Sequence, residues 1–247
     1  MFPIRDHNPS GRTPYVVYAL IALNVAIFLS YWSLPEQDIL HRVYAPYALI
    51  PARLDQGEGY ATLVTSLFLH GGVMHIFGNM LFLWIFGDNL EDVMGHVGFL
   101  LFYLACGIGA GLVHVMTASG SMVPTVGASG AIAGVMGGYL LLYPRARVDI
   151  LIILVIFFRI FTVPAWLMLG FWAGMQFLGG IGADPNQGGV AYWAHTGGFA
   201  VGLLLTLPIW LRRGAHGYWS RHSGRPPYPQ GQFRYGQSHI PRVPRRK

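Results

Sequence analysis

The chain has 247 residues, 53% of them apolar and only 11% charged, with a formal net charge of +6. Soluble domains carry about a quarter charged residues, so this composition disfavours an ordinary soluble domain and favours a chain embedded in lipid. The lone cysteine, Cys106, excludes an intrachain disulfide and reads as a small packed hydrophobe rather than a reactive thiol.

Crossing a bilayer takes about 20 apolar residues, and windows of that kind are predicted, in chain order, at about 14–32, 68–87, 97–115, 128–143, 163–181 and 191–211. The first is too long, and too poorly followed by small residues, for a cleaved signal peptide. The fourth is short. The apolar region 150–182 is interrupted by Arg159 and Pro164, so 148–160 is read as an interfacial or re-entrant piece, with a seventh crossing between 148 and 162 as the alternative. The expected fold is an all-α polytopic membrane protein. Its six-helix membrane domain covers 14–211, between an N-terminal segment, 1–13, and a tail, 212–247.

That tail holds nine of the sixteen basic residues, among them Arg212, Arg213, Arg221 and Arg225, together with Pro226, Pro227 and Pro229. It lacks an apolar repeat and is expected to be disordered. Its arginines fit the positive-inside rule and contact with anionic lipid better than nucleic-acid binding, and no nucleic-acid partner is expected. Arg5 and Arg12 precede the first span, and Arg145, Arg147 and Arg159 lie between the fourth and fifth. With six crossings these share one side with the tail, which makes both termini cytoplasmic. The loop between spans two and three falls on that side as well, yet it is acidic (Asp88, Glu91, Asp92), an exception to the pattern.

Two polar residues begin apolar, glycine-rich runs: Ser129 in Gly127-Ala128-Ser129-Gly130 and His195 in Ala194-His195-Thr196-Gly197-Gly198. Polar groups kept at membrane depth are functional candidates. Serine becomes a nucleophile when a base takes its proton, and histidine titrates in the range to do so. Ser129, Ala133 and Gly137 form a small-residue stripe beside Gly130, Gly134 and Gly138, while His195, Gly198 and Gly202 recur on the sixth span. Such faces let transmembrane backbones approach closely, which would place Ser129 and His195 at one depth.

An oxyanion needs preorganised donors. On the second span His75 and Asn79 share a helix face, with His70 upstream, and the Ser129 amide is a third donor. Oxyanion donation is the preferred role for His75 and Asn79; interhelical bonding by Asn79 is second, and a metal held by His70, His75 and His195 a distant third, because no H-E-x-x-H pattern accompanies them. No metal or other cofactor is expected. Gly-x-Ser-x-Gly is not matched, since Ala131 stands where its second glycine belongs. No carboxylate is placed to orient His195, Asp184 in the preceding loop being weakly positioned, so a dyad is expected rather than a triad.

These motifs together resemble the rhomboid family of intramembrane serine proteases. Gly127-Ala128-Ser129-Gly130 is similar to the family's nucleophile motif, and Ala194-His195 with Gly198 and Gly202 to its base-bearing helix. His75 and Asn79 match H-x-x-x-N on the second helix, and His70 a histidine often seen upstream. Leu90-Glu91-Asp92 through Gly95, with Phe99-Leu100 and Phe102-Tyr103-Leu104, resembles the turn into helix three. The resemblance covers about 14–211. It implies a six-transmembrane-helix rhomboid-like bundle in which Ser129 and His195 are catalytic, His75 and Asn79 stabilise the oxyanion, and Gly127, Gly130 and His70 support the site. Implied too are substrates that are transmembrane or juxtamembrane segments, with small residues before the scissile bond and helix-destabilising residues nearby.

The chain departs from the family at Ala133, where some members place a tyrosine stacked on the base. It also lacks a Trp-Arg pair in the outer loop, where Ala45-Pro46-Tyr47-Ala48 and Pro51-Ala52-Arg53 stand. Loop 182–190 is expected to cap the site and, with the fifth helix, to gate it. A non-catalytic rhomboid relative that binds client helices is the alternative function, and a transporter using the same polar residues is a weaker one, because no inverted repeat is evident. The short N-terminus without a basic transit segment points to a bacterial plasma membrane rather than a mitochondrion.

Overall fold

The computed structural model describes residues 2–154 and 157–225. Strand β1 (Phe2–Asp6) leads into helix α1 (Tyr15–Tyr31). A chain of short helical turns between Glu36 and Phe68 then precedes α2 (Val73–Thr117). Next come α3 (Ser129–Leu142), strands β2 (Arg147–Leu154) and β3 (Phe157–Pro164), α4 (Ala165–Gly182), α5 (Tyr192–Arg212) and a short α6 (His216–His222). Among the described residues, α2, α4 and α5 are long and apolar enough to cross a membrane, and α1 and α3 are shorter apolar helices.

Helix α2 is two arms rather than one rod. A straight helix of 45 residues would run about 68 Å, yet His75 near its start and His114 near its end line the same cavity. The chain reverses at Gly95, whose φ of 72° only glycine adopts readily. The arms correspond to the predicted second and third spans. Large apolar side chains point outward along the helices: Leu101 is 62% exposed, Leu178 63% and Leu204 66%. In a soluble protein such a belt would be an aggregation surface; in a bilayer it faces lipid.

The contacts sort the connections into two ends. At one end β1 pairs antiparallel with β2, so the N-terminus lies beside the α3–α4 connection. The segment after α5 joins them: Arg145 N donates to Gly224 O at 3.0 Å and Trp219 Nε1 to Leu141 O at 2.9 Å. At the other end Leu49 and Thr125 form an antiparallel bridge, and Ser121 Oγ donates to Pro185 O at 2.8 Å.

Two expectations change. The stretch 148–160, expected as an interfacial or re-entrant piece, is strand in its described residues: they lie in β2 and β3, which pair antiparallel from Arg147↔Pro164 to Leu154↔Phe157 and form a three-stranded sheet with β1. The fold is therefore mostly helical but not all-α. Its isoleucines, valines and phenylalanines suit strands better than helices, and the buried Asp149 pins the sheet by accepting from Arg5 Nε at 2.7 Å, His7 Nε2 at 2.9 Å and Thr162 Oγ1 at 2.6 Å. The tail, expected to be disordered from 212, instead continues into α6, whose Trp219 packs on Trp210 at 4.9 Å. Residues 226–247 of that tail, with Pro226, Pro227 and Pro229, lie outside the described residues.

The acidic loop finds its explanation here. Glu91, 2% exposed, accepts the first free amides of α1, Val16 N and Val17 N, at 2.9 Å each. Helix α1 begins after Pro14 without a side-chain cap of its own, so Glu91 supplies both the missing acceptor and the negative charge its N-terminus favours. His96 Nδ1 lies 2.5 Å from the same carboxylate, and Asp92 accepts Gly11 N at 2.9 Å.

Asp6 couples this sheet to the bundle: Tyr139 of α3 donates its hydroxyl to Asp6 Oδ2 at 2.8 Å, and Asn8 Nδ2 donates to the same tyrosine oxygen. Burial pushes the Asp6 carboxyl up to about 7, and the nearby Asp88 carboxylate pushes the same way. A carboxyl raised on folding contributes stability that is full below its unfolded value of about 3.9 and is lost as pH rises through about 7. Asp6→Asn is expected to flatten the fall in thermal unfolding midpoint of the detergent-solubilised protein between about pH 4 and pH 7. An unaltered slope would contradict this origin.

Candidate active site

Ser129 is the first residue of α3, preceded by Ala128 at the cap position. The first-turn amides of a helix have no partner within it and form its positive end, so the Ser129 hydroxyl sits beside free donors. His195 lies in the first turn of α5. The two side chains meet: Ser129 Oγ is 2.6 Å from His195 Nε2.

Backbone contact between α3 and α5 makes this possible. A Cβ on Gly202 would fall on the Gly134 carbonyl, one on Gly198 on the Gly130 carbonyl, and one on Gly137 on the Phe199 carbonyl. The Gly130–Gly134 row thus takes more of the contact than the row running from Ser129 through Ala133. The second arm of α2 closes in from the side: a Cβ on Gly130 would stand 2.6 Å from Ala110 Cβ.

Gly127 serves the first arm of α2. Its N–H donates to Ser66 O at 3.0 Å, which fixes the turn into α3. Its φ is +127°, and a Cβ there would stand 2.7 Å from His75 Nε2 and 3.6 Å from Asn79 Nδ2. Two side-chain nitrogens therefore face the backbone just ahead of Ser129. Gly71 N donates to His75 Nδ1 at 3.2 Å, which leaves the ring proton on Nε2, the nitrogen turned toward Gly127. Asn79 Nδ2 is buried and has no hydrogen-bond partner among the described residues. Both face a cavity of about 570 Å³ that Ser129 and His195 also line.

His70 stands apart from that cavity. Its ring packs edge-on to His75 with centroids 5.1 Å apart. Its backbone exchanges hydrogen bonds with Tyr31, whose hydroxyl donates to His70 O at 2.9 Å and accepts from His70 N at 2.7 Å. Among the described residues no group of three or more His, Cys, Asp or Glu side chains is placed to hold a metal. The loop expected to cap the site does line the cavity, through Asp184, Pro185, Gln187 and their neighbours. The Asp184 carboxylate accepts from Asn186 N at 2.9 Å and Gln187 Nε2 at 3.2 Å; no hydrogen bond joins it to His195.

Sequence reasoning missed two residues. Trp172 of α4 lies against the His195 ring, centroids 5.8 Å apart and planes inclined by 33°. It occupies the role that Ala133 leaves open. One turn further along α4, Gln176 Oε1 is 2.8 Å from His195 Nδ1. The signal was present, because Gln176 is the single amide side chain in 165–182, and an uncompensated amide in an apolar span is costly.

The Rhomboid domain model matches residues 57–212, a stretch that contains His70, His75, Asn79, Gly127, Ser129, Gly130, Trp172, Gln176 and His195. The chain belongs to the rhomboid family. It is 30% identical over 193 residues to Rhomboid protein 1, mitochondrial, of Saccharomyces cerevisiae, covering 76% of this chain and 51% of the yeast protein. It is 34% identical over 127 residues to Rhomboid protease GluP of Bacillus subtilis, covering 51% of this chain and 24% of that protein. RHOMBOID-like protein 4 of Arabidopsis thaliana is 33% identical over 155 residues, 63% of this chain and 35% of the plant protein. The chain thus spans about half the length, or less, of these rhomboid relatives.

Gly127→Ala tests how tightly the rhomboid site is packed. The methyl meets His75 in a backbone conformation that L-residues avoid, so a stability loss of about 1–3 kcal/mol is expected. It would be read as a lowered thermal unfolding midpoint in detergent; a midpoint equal to that of the unaltered protein would contradict the packing.

Proposed function

We propose that the chain is an intramembrane serine endopeptidase that cleaves transmembrane or juxtamembrane segments of other membrane proteins. The observation that carries this reading is the 2.6 Å separation of Ser129 Oγ and His195 Nε2 in a cavity faced by the donor nitrogens of His75 and Asn79. His195 takes the Ser129 proton as the hydroxyl oxygen attacks the substrate carbonyl carbon. The negative charge that develops on the carbonyl oxygen falls among His75 Nε2–H, Asn79 Nδ2–H and the Ser129 amide, a set of fixed donors that costs no reorganisation during reaction. His195 returns the proton to the leaving amine, giving an acyl-enzyme ester at Ser129, and a water activated by the same histidine hydrolyses it. Gly127 and Gly130 admit close backbone approach, and His70 holds the start of the second helix. No metal or cofactor enters the cycle.

In this reading six segments cross the bilayer: α1, the two arms of α2, α3, α4 and α5, with residues 14–211 as the membrane domain. Even numbers of crossings separate β1, β2 and α6, in keeping with their contacts at one end of the bundle. Arg5, Arg12, Arg145, Arg147, Arg159, Arg212 and Arg213 lie in the segments at that end, which makes it the cytoplasmic side, both termini included. Helix α3 has 14 residues, about 21 Å against a hydrocarbon core of about 30 Å, so Ser129 lies below the outer surface. The opening past loop 183–191 brings water to it. The membrane is taken to be a bacterial plasma membrane.

A fluorophosphonate probe on the detergent-solubilised chain tests the reading. Labelling is expected on the unaltered protein and abolished by Ser129→Ala and by His195→Ala. In proteoliposomes, Asn79→Ala is expected to slow cleavage of a transmembrane substrate on the order of 100-fold. A chain that folds yet neither labels nor cleaves would instead be a non-catalytic rhomboid that binds client helices.

A further inference from the structure

The proposed proteolytic cycle uses Nε2 of His195; the other ring nitrogen, Nδ1, faces Gln176 of α4. Gln176 Oε1 lies 2.8 Å from His195 Nδ1, while His195 Nε2 lies 2.6 Å from Ser129 Oγ. An amide oxygen accepts and cannot donate. The proton on the ring is therefore at Nδ1, and Nε2 presents its lone pair to the serine hydroxyl. The other tautomer would direct an N–H at Ser129 and could not take its proton.

We infer that Gln176 is a positioning residue for proteolysis: its side-chain oxygen fixes the tautomer and the orientation of His195, so that α4 supplies a third, uncharged member to the Ser129–His195 pair. The inference rests on the proteolytic reading above.

Three observations support the placement. Gln176 and Trp172 are four apart on α4 and therefore share a face; the indole lies against the imidazole and the amide meets its edge, so one helix sets both the plane and the rotation of the ring. The approach of α4 is itself built in: a Cβ on Gly179 would stand 2.6 Å from the Tyr192 ring and one on Gly180 would stand 2.8 Å from the Trp193 ring, so α4 and the start of α5 pack without room for side chains there. Finally, no acid takes this place. Besides His195, the titratable side chains lining the cavity are His75 and His114, from the two arms of α2, Asp184, from the loop after α4, and Tyr192, at the start of α5. His114 Nε2 is engaged with Thr125 Oγ1 at 2.8 Å, and the Asp184 carboxylate is turned to its own loop.

A neutral acceptor orients the base and stabilises the imidazolium less than a carboxylate would, and it avoids an ionised acid at membrane depth, where charge is costly. Helix α4 also carries outward apolar side chains such as Phe171 and Leu178. A displacement of α4 away from α5 would therefore withdraw the amide from His195, so base alignment depends on where that helix sits.

Gln176→Leu keeps size and removes the acceptor; Gln176→Glu keeps the acceptor. The full chain in proteoliposomes is compared across pH for cleavage of a transmembrane substrate and for fluorophosphonate labelling. Gln176→Leu is expected to lower kcat on the order of 10- to 100-fold with KM and thermal midpoint unchanged, and to move the acidic limb of the pH–rate profile to lower pH, because the imidazolium loses an acceptor. Gln176→Glu is expected to recover most of the lost rate. An active unaltered chain whose Gln176→Leu variant keeps both rate and acidic limb overturns the positioning role alone. So does a rate loss that tracks a lowered thermal midpoint and is not rescued by glutamate. An unaltered chain that neither labels nor cleaves overturns the proteolytic reading, and the positioning role falls with it.

Discussion

The structure depends on the contact between α3 and α5, where Gly130 and Gly134 meet Gly198 and Gly202 backbone to backbone. Lipid tails are as apolar as leucine, so apolar burial gives little drive for helices to associate in a membrane; dense packing takes its place. Glycine is poor in a helix interior by intrinsic preference, and its accumulation on both helices follows from what any larger side chain would meet. With the two axes this close, the residues at the start of each helix fall within hydrogen-bond reach, and Ser129 and His195 occupy those positions.

Around that pair the other elements each fix one degree of freedom. The first arm of α2 presents His75 and Asn79 to the Gly127 backbone. The reversal at Gly95 lets the second arm pack Ala110 against Gly130. Helix α4 holds the imidazole from behind through Trp172 and Gln176. At the far end of the bundle Glu91 caps α1, and the three-stranded sheet ties the N-terminus to the connection after α3. Charge and hydrogen bonding at that end anchor the helices whose other ends carry the polar cavity.

Much of this was legible in the sequence because membrane segments obey a strict length rule and because small-residue spacing maps onto helix faces. The apolar windows anticipated the helices to within a few residues at most ends, and Ser129, His195, His75 and Asn79 stood out as polar residues in apolar runs. Three things were not legible, each for a physical reason. Continuous apolar strands and buried helices look alike in composition, so the apolar run of β2 and β3 reads as an interfacial or re-entrant piece, and only pairing with β1 distinguishes it as sheet. The acids Glu91 and Asp92 looked like exceptions to the charge pattern because capping of α1 is a contact across 75 residues. Gln176 stands out as a lone amide in an apolar span, but its partner, His195, lies on another helix, and spacing along one helix cannot reveal that pairing.

The most direct test of the central claim is the fluorophosphonate labelling rate of Gly202→Ala, in which Ser129 and His195 are both retained. The added methyl falls on the Gly134 backbone and forces α3 and α5 apart, so the account predicts a large loss of labelling, accompanied by overpacking destabilisation of about 1–3 kcal/mol. Labelling at the rate of the unaltered protein would show that the two side chains meet without the glycine contact, and would contradict it.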